Sequence, residues 1–150
     1  MLSRSGMRFG AVFGKGCKVI EGGCLCGGVR YEYDGEIEEI SICHCSQCRK
    51  AQGSAFAAVS PVATDRLRIL AGAELLREYR SSPDKVRAFC AGCGSPIYSS
   101  KDDAPGIRRL RLGTVDTPFT CAKAFHIFTD SKAAWWDCDD GLPRFAARRP

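Results

Sequence analysis

Seven of the ten cysteines of this 150-residue chain fall into three short runs. They are Cys24-Leu25-Cys26, Cys43-His44-Cys45-Ser46-Gln47-Cys48 and Cys90-Ala91-Gly92-Cys93. Thiolates one to three positions apart can clasp one ion. A tetrahedral set of sulfur donors selects zinc, with an iron–sulfur cluster as the weaker alternative. The chain is therefore expected to fold around one or two zinc sites. That constraint outranks anything composition can say.

A disulfide framework is the competing use of so many cysteines, and it belongs to secreted chains, most of them shorter. The opening run MLSRSGMRFGAVFGKGCKVI lacks the apolar stretch of about 7–15 residues that an export signal needs. No segment approaches the roughly 18 apolar residues of a membrane helix. A reducing cytoplasm, where thiols stay free for metal, is the expected compartment.

The apolar and charged fractions, 45% and 26%, are those of an ordinary globular domain. The net charge of +5 hints at nucleic acid, but most of it lies at one end. Arg4, Arg8, Lys15 and Lys18 stand among the first twenty residues without a single acid, which leaves the rest nearly neutral. No nucleic-acid partner is expected. Residues 1–19 read as a disordered basic leader, with a transit peptide or a true start at Met7 as alternatives, and 20–150 as one domain. The tail from Arg144 to Pro150 reads as frayed.

Short runs of strand character fill the interior. Val29–Tyr33 alternates apolar and polar residues before the turn signal Asp34-Gly35. Ile37–Ile42, Phe56–Val62, Leu67–Leu70, Leu75–Arg80, Val86–Phe89, Ile97-Tyr98, Leu110–Leu112 and Ala124–Phe128 follow. No segment sustains a helical period over three turns, although Ser46–Gln52 can form a single helical stretch. The expectation is a mainly β single domain of antiparallel sheets with metal knuckles at strand ends.

In extended chain, residues i and i+2 share a face, so Cys24 and Cys26 can grip one ion while Leu25 turns away. Cys90 and Cys93 make a knuckle whose Gly92 and Gly94 permit the turns it needs. These four thiolates suffice for a closed structural site, which leaves Cys43, Cys45 and Cys48 as a three-ligand set with an open corner. His44, between two ligands, would point away from them. Spacing equally allows Cys45 and Cys48 to pair with Cys90 and Cys93, which would leave Cys24, Cys26 and Cys43 open. Cys17, Cys121 and Cys138 fit no pair spacing and read as incidental thiols.

Three motifs, in order, resemble a known family. They are Gly22-Gly23-Cys24-Leu25-Cys26-Gly27-Gly28-Val29-Arg30-Tyr31, then Cys43-His44-Cys45-Ser46-Gln47-Cys48-Arg49-Lys50 with Gly53-Ser54, then Phe89-Cys90-Ala91-Gly92-Cys93-Gly94-Ser95. Together they resemble the glutathione-dependent formaldehyde-activating enzymes, a family that includes centromere protein V. Phe125-His126-Ile127 and the stretch from Trp135 to Pro143 are similar to its closing segment. The resemblance implies a β-tent fold, a structural zinc on Cys24, Cys26, Cys90 and Cys93, and a catalytic zinc on Cys43, Cys45 and Cys48.

It also implies a carbon–sulfur lyase joining glutathione to formaldehyde, or a similar thiol to another small aldehyde. A thiol near pKa 8.5 is mostly protonated at neutral pH, and zinc at an open corner would drive off that proton. Cations must offset the charge of crowded thiolates. Arg49 and Lys50, next after Cys48, are the expected ones, able also to hold substrate carboxylates. His126 is the candidate for proton transfer, although its apolar setting fits a buried strand histidine equally well. Trp135 and Trp136 read as core. The alternatives to an enzyme are a zinc-stabilised binding scaffold and a thiol or metal sensor.

Overall fold

Among residues 18–150, which the computed structural model describes, the alternating runs become ten strands and one helix. In chain order these are β1 (Val19–Gly23), β2 (Arg30–Asp34), β3 (Ile40–Cys43), α1 (Ser46–Gln52), β4 (Ala57–Ala63) and β5 (Leu67–Ala71). Then come β6 (Leu76–Ser82), β7 (Lys85–Cys90), β8 (Pro96–Lys101), β9 (Ile107–Arg111) and β10 (Ala124–Ile127). Cys17 and nearly all of the expected leader lie outside the described residues.

Two sheets result: a three-stranded one, β1-β2-β5, and a seven-stranded one, β10-β3-β4-β9-β8-β7-β6. The mainly β expectation holds. Within the larger sheet β10 runs parallel to β3, so the sheets are not antiparallel throughout. A parallel neighbour needs a long crossover, and the chain between Cys43 and Ala124 provides one.

Single-residue alternation gives the larger sheet two different faces. One carries Val62, Leu110, Tyr98 and Ala88, which pack with Ile20, Tyr31 and Tyr33 of the smaller sheet into one core. β1 was hidden in sequence by its Gly22-Gly23 ending. Any side chain at Gly22 would collide with Tyr31 and the Thr114 carbonyl, so the glycine is what lets this strand approach.

The opposite face is aligned by register. Phe125 pairs with Ser41 and Ile127 with Cys43; Val59 pairs with Arg111, Pro61 with Arg109, Ser99 with Arg109 and also with Arg87, and Lys85 with Lys101. This face is roofed in part by α1 and by the chain end. Residues 144–150 are not frayed: Phe145, Ala146 and Ala147 exchange backbone hydrogen bonds with His126, Phe128, Thr129 and Asp130. Trp135 and Trp136 are not core either. They stand 73% and 41% exposed in a loop, where Trp136 leans on Phe56 at 5.8 Å.

Candidate metal centres and a cationic pocket

Cys24 and Cys26 leave the end of β1, while Cys90 ends β7, so sulfurs from the two sheets converge. The Sγ atoms of Cys24, Cys26, Cys90 and Cys93 all lie within 4.8 Å of one another, with Cys24–Cys26 at 3.5 Å and Cys26–Cys90 at 3.9 Å. Sulfurs 2.3 Å from a tetrahedral zinc stand about 3.8 Å apart, so this donor set fits the ion. The Val29 backbone N–H donates to Cys24 Sγ at 3.1 Å. Gly94, at φ 79, closes the knuckle by donating its N–H to the Cys90 carbonyl at 2.7 Å. Hydrogen bonding with Ser95 pulls Cys93 down to about 5, which favours the thiolate a metal requires.

Cys43, Cys45 and Cys48 form a second set, again within 4.8 Å of one another. Cys43 ends β3 on its inward face. Cys45 caps α1, its sulfur accepting from the Cys48 N–H at 3.3 Å, and Cys48 is the helix's buried residue. Of the two pairings that spacing allowed, the structure therefore groups Cys24 and Cys26 with Cys90 and Cys93. Protons shared among the three thiols set Cys43 well above the ordinary range and Cys48 well below it. For Cys48, hydrogen bonds from Cys43 and Cys45 come first, then the charges of Lys85 and Arg111. The direction favours negative charge on Cys48, which Arg87 approaches.

This set lies in the wall of a pocket of about 590 Å³ on the register-aligned face. Lys85, Arg87, Arg109 and Arg111 line it, and Phe125, Ile127 and Phe128 give it an apolar side. Arg87 and Arg111 are 8% and 3% exposed. The Arg87 Nη atoms stand 3.9 and 4.0 Å from Cys48 Sγ, while its Nε donates to the Ser81 hydroxyl at 2.9 Å. Burial pulls Arg111 and Lys85 below their ordinary values, and the Cys48 sulfur opposes the shift in both. The Arg109 Nη1 is buried without a hydrogen-bond partner.

The structure does not bring Arg49 and Lys50 into this pocket. They lie in the last turn of α1, and Arg49 Nε donates to the His44 carbonyl at 3.4 Å. The sequence signal for the cations in the pocket is their i, i+2 spacing on β7 and β9, which by itself also fits arginines facing solvent.

His126 also stays away from the three sulfurs. Phe125 and Ile127 face the pocket, so His126 faces the other side. There its Nδ1 lies 2.7 Å from His44 Nε2, and its Nε2 lies 2.9 and 3.1 Å from the Asp140 carboxylate oxygens. Cys138 is no isolated thiol, since its sulfur joins the two rings in one buried group. Two nitrogens bound at 2.0–2.1 Å to one tetrahedral zinc stand about 3.3 Å apart. At 2.7 Å the two ring nitrogens stand at hydrogen-bonding distance instead.

Residues 19–131 match the sequence model of the glutathione-dependent formaldehyde-activating enzymes. A crystal structure of a Rhodobacter sphaeroides protein shares the fold with a TM-score of 0.58 at 21% identity, covering 83% of this chain and 98% of that one. With most of its length matched and its cysteine motifs gathered as described, the chain belongs to the glutathione-dependent formaldehyde-activating enzyme family.

Proposed function

We propose that this protein is a carbon–sulfur lyase that adds a glutathione-like thiol to formaldehyde or another small aldehyde, and reverses the addition. Supporting this is one observation above all: three sulfurs, not four, face a pocket in which Lys85, Arg87, Arg109 and Arg111 outnumber the acids Glu39 and Asp84. A structural zinc would sit on Cys24, Cys26, Cys90 and Cys93. A second would sit on Cys43, Cys45 and Cys48. Bound there, the second zinc supplies a Lewis-acid position that makes an incoming thiol acidic at neutral pH.

The rest is the work of the chain's own side chains. Arg87, Arg111 and Lys85 offset the negative charge of the crowded sulfurs. Arg109, with its unpartnered Nη1, takes a carboxylate of the thiol substrate. Phe125, Ile127 and Phe128 keep water from one side of the reacting carbon. As the C–S bond forms, the carbonyl electron pair moves to oxygen, which needs the proton the thiol gave up. Lys85, lowered by burial and lining the pocket, is the group suited to pass it. The free thiols suit a cytoplasmic setting, and no helix among the described residues is long and apolar enough to cross a membrane.

Native mass spectrometry of the reduced protein, with and without millimolar glutathione, tests the reading, followed by turnover assays with formaldehyde. Two zincs and a glutathione adduct that a Cys45→Ser variant loses are expected. Two zincs indifferent to every thiol would instead mark a scaffold or a metal sensor.

A further inference from the structure

His44 stands between two of the three pocket sulfurs, yet strand alternation throws its ring to the opposite side of the sheet. That ring is fully buried, its Nδ1 without a hydrogen-bond partner, and it is held through Nε2 and by packing. Its Nε2 meets His126 Nδ1 at 2.7 Å, Phe56 lies edge-on at 5.7 Å, and the His44 backbone N–H donates to the Ile127 carbonyl at 3.1 Å. His126 is fixed in turn. Its backbone N–H donates to the Pro143 carbonyl at 2.8 Å, its own carbonyl accepts from Phe145 at 2.9 Å, and its ring meets Asp140. Asp140 accepts a further bond from the Leu142 N–H at 3.0 Å.

We propose that Asp140, His126 and His44 form a hydrogen-bonded chain through which the C-terminal segment positions the Cys43–Cys45 ligand pair. His126 and Asp140 are then positioning residues, and neither touches substrate. The ionised Asp140 carboxylate keeps a proton on His126 Nε2, which sets the ring's orientation. The proton in the 2.7 Å contact then holds the His44 ring. Because His44 is covalently next to both cysteines, an immobile ring fixes the two peptide planes that aim their sulfurs. Hydrogen bonds made by metal ligands themselves change metal affinity by about 10–100-fold when removed, and a bond that holds the residue between two ligands is expected to act on that scale.

The same segment reaches the pocket a second time. Arg148 and Arg149 line it, with Arg149 stacked 4.4 Å over Phe125 and 3.4 Å from Glu39. Asp140 and these arginines lie beyond residues 19–131, so the contribution comes from outside the span the family model matches.

The inference rests on reading Cys43, Cys45 and Cys48 as a metal site, and the test separates the two. Zinc affinity is measured by chelator competition, and cobalt(II) spectra are recorded, for the wild-type protein, His126→Phe, Asp140→Ala and Asp140→Asn, with Cys45→Ser as the reference for an abolished site. In His126→Phe and Asp140→Ala, the second metal should bind about 10–100-fold more weakly with altered cobalt bands, while the four-cysteine site stays filled. Asp140→Asn keeps an oxygen opposite His126 Nε2 and should restore near-wild-type affinity, a rescue that a general loss of stability would not show. Wild-type affinity and spectra in Asp140→Ala would overturn the inference, and this half-exposed position decides the matter if His126→Phe does not fold. A third metal that is lost in His126→Phe would also overturn it, making the rings ligands. Absence of a second metal from the wild-type protein would defeat the reading of the pocket itself.

Discussion

Arg87 holds its guanidinium 3.9–4.0 Å from the sulfur of Cys48, although the two residues are 39 positions apart and sit on different elements. The contact brings a buried cation from β7 to the Cys48 sulfur in α1. Charge-assisted hydrogen bonds of this kind contribute about 1.5–3 kcal/mol. Arg109→Gln, which removes the guanidinium proposed to take the substrate carboxylate, is therefore expected to weaken glutathione binding about 10–100-fold. Arg49→Gln, outside the pocket, should change it less than about twofold, as for an ordinary surface site. Isothermal titration calorimetry of the zinc-loaded protein reads both. Equal losses would return the substrate contact to α1.

The two cysteine sets should differ in what their loss does. Cys90→Ser breaks a site that joins the two sheets, and with structural zinc contributing about 10–16 kcal/mol in small zinc peptides, the expected result is a protein unfolded at 37 °C. Cys45→Ser is expected to lower stability by no more than about 2 kcal/mol while abolishing turnover. Chemical denaturation with circular dichroism compares them. Equal unfolding of the two variants would remove the division between a structural and a reactive site.

Gly72 and Gly94 share a positive φ, at 74 and 79, but not a neighbourhood. A Cβ at Gly94 meets nothing, whereas one at Gly72 would collide with the Gly28 backbone, two residues after Cys26. Gly94→Ala should cost only the left-handed penalty of about 1 kcal/mol. Gly72→Ala adds a steric term and should cost more than about 3 kcal/mol. Urea titration of the zinc-loaded variants distinguishes a steric cause from a purely conformational one.

Tyr31 gives the fold an alkaline limit. The phenol is fully buried, 2.8 Å from the Thr114 hydroxyl, and burial pushes it up to about 12. An unfolded tyrosine ionises near 10. Since the folded pKa is raised, this contribution is fully present below about pH 10 and is lost as pH rises through the folded value. Tyr31→Phe should flatten the stability profile between those limits while costing about 1 kcal/mol at neutral pH through the lost hydrogen bond. A parallel decline in the mutant would assign the alkaline limit to other groups.

Most strands were legible because apolar residues such as Tyr31, Leu110 and Ala88 alternate with polar ones, and the cysteines were legible because their spacing has few other uses. What sequence obscured shares one cause. Lys85, Arg87, Arg109 and Arg111 occupy the polar phase of that alternation, which ordinarily means solvent. Here it means a second interior, because α1 and residues 144–149 roof part of that face. The tail's order was invisible for the same reason: a basic segment reads as frayed until Arg149 finds Phe125 and Glu39. His126 was legible as a buried strand histidine, but a single strand cannot tell which side of the sheet it faces. Trp135 and Trp136 carry the bulk of core residues, but the turn around Ala133 leaves both rings outside.

The four-cysteine cluster draws Cys24 and Cys26 from the edge of one sheet and Cys90 and Cys93 from the end of another, with 64 positions between Cys26 and Cys90. The hairpins of β6, β7 and β8 close locally, and the smaller sheet joins them through the shared core and through this corner of sulfurs. A zinc held there, as proposed, would tie assembly to the same ion as the chemistry. A cell short of zinc would accumulate half-docked chains with their shared core exposed, and would lose this protein to proteolysis before its pocket ever went idle.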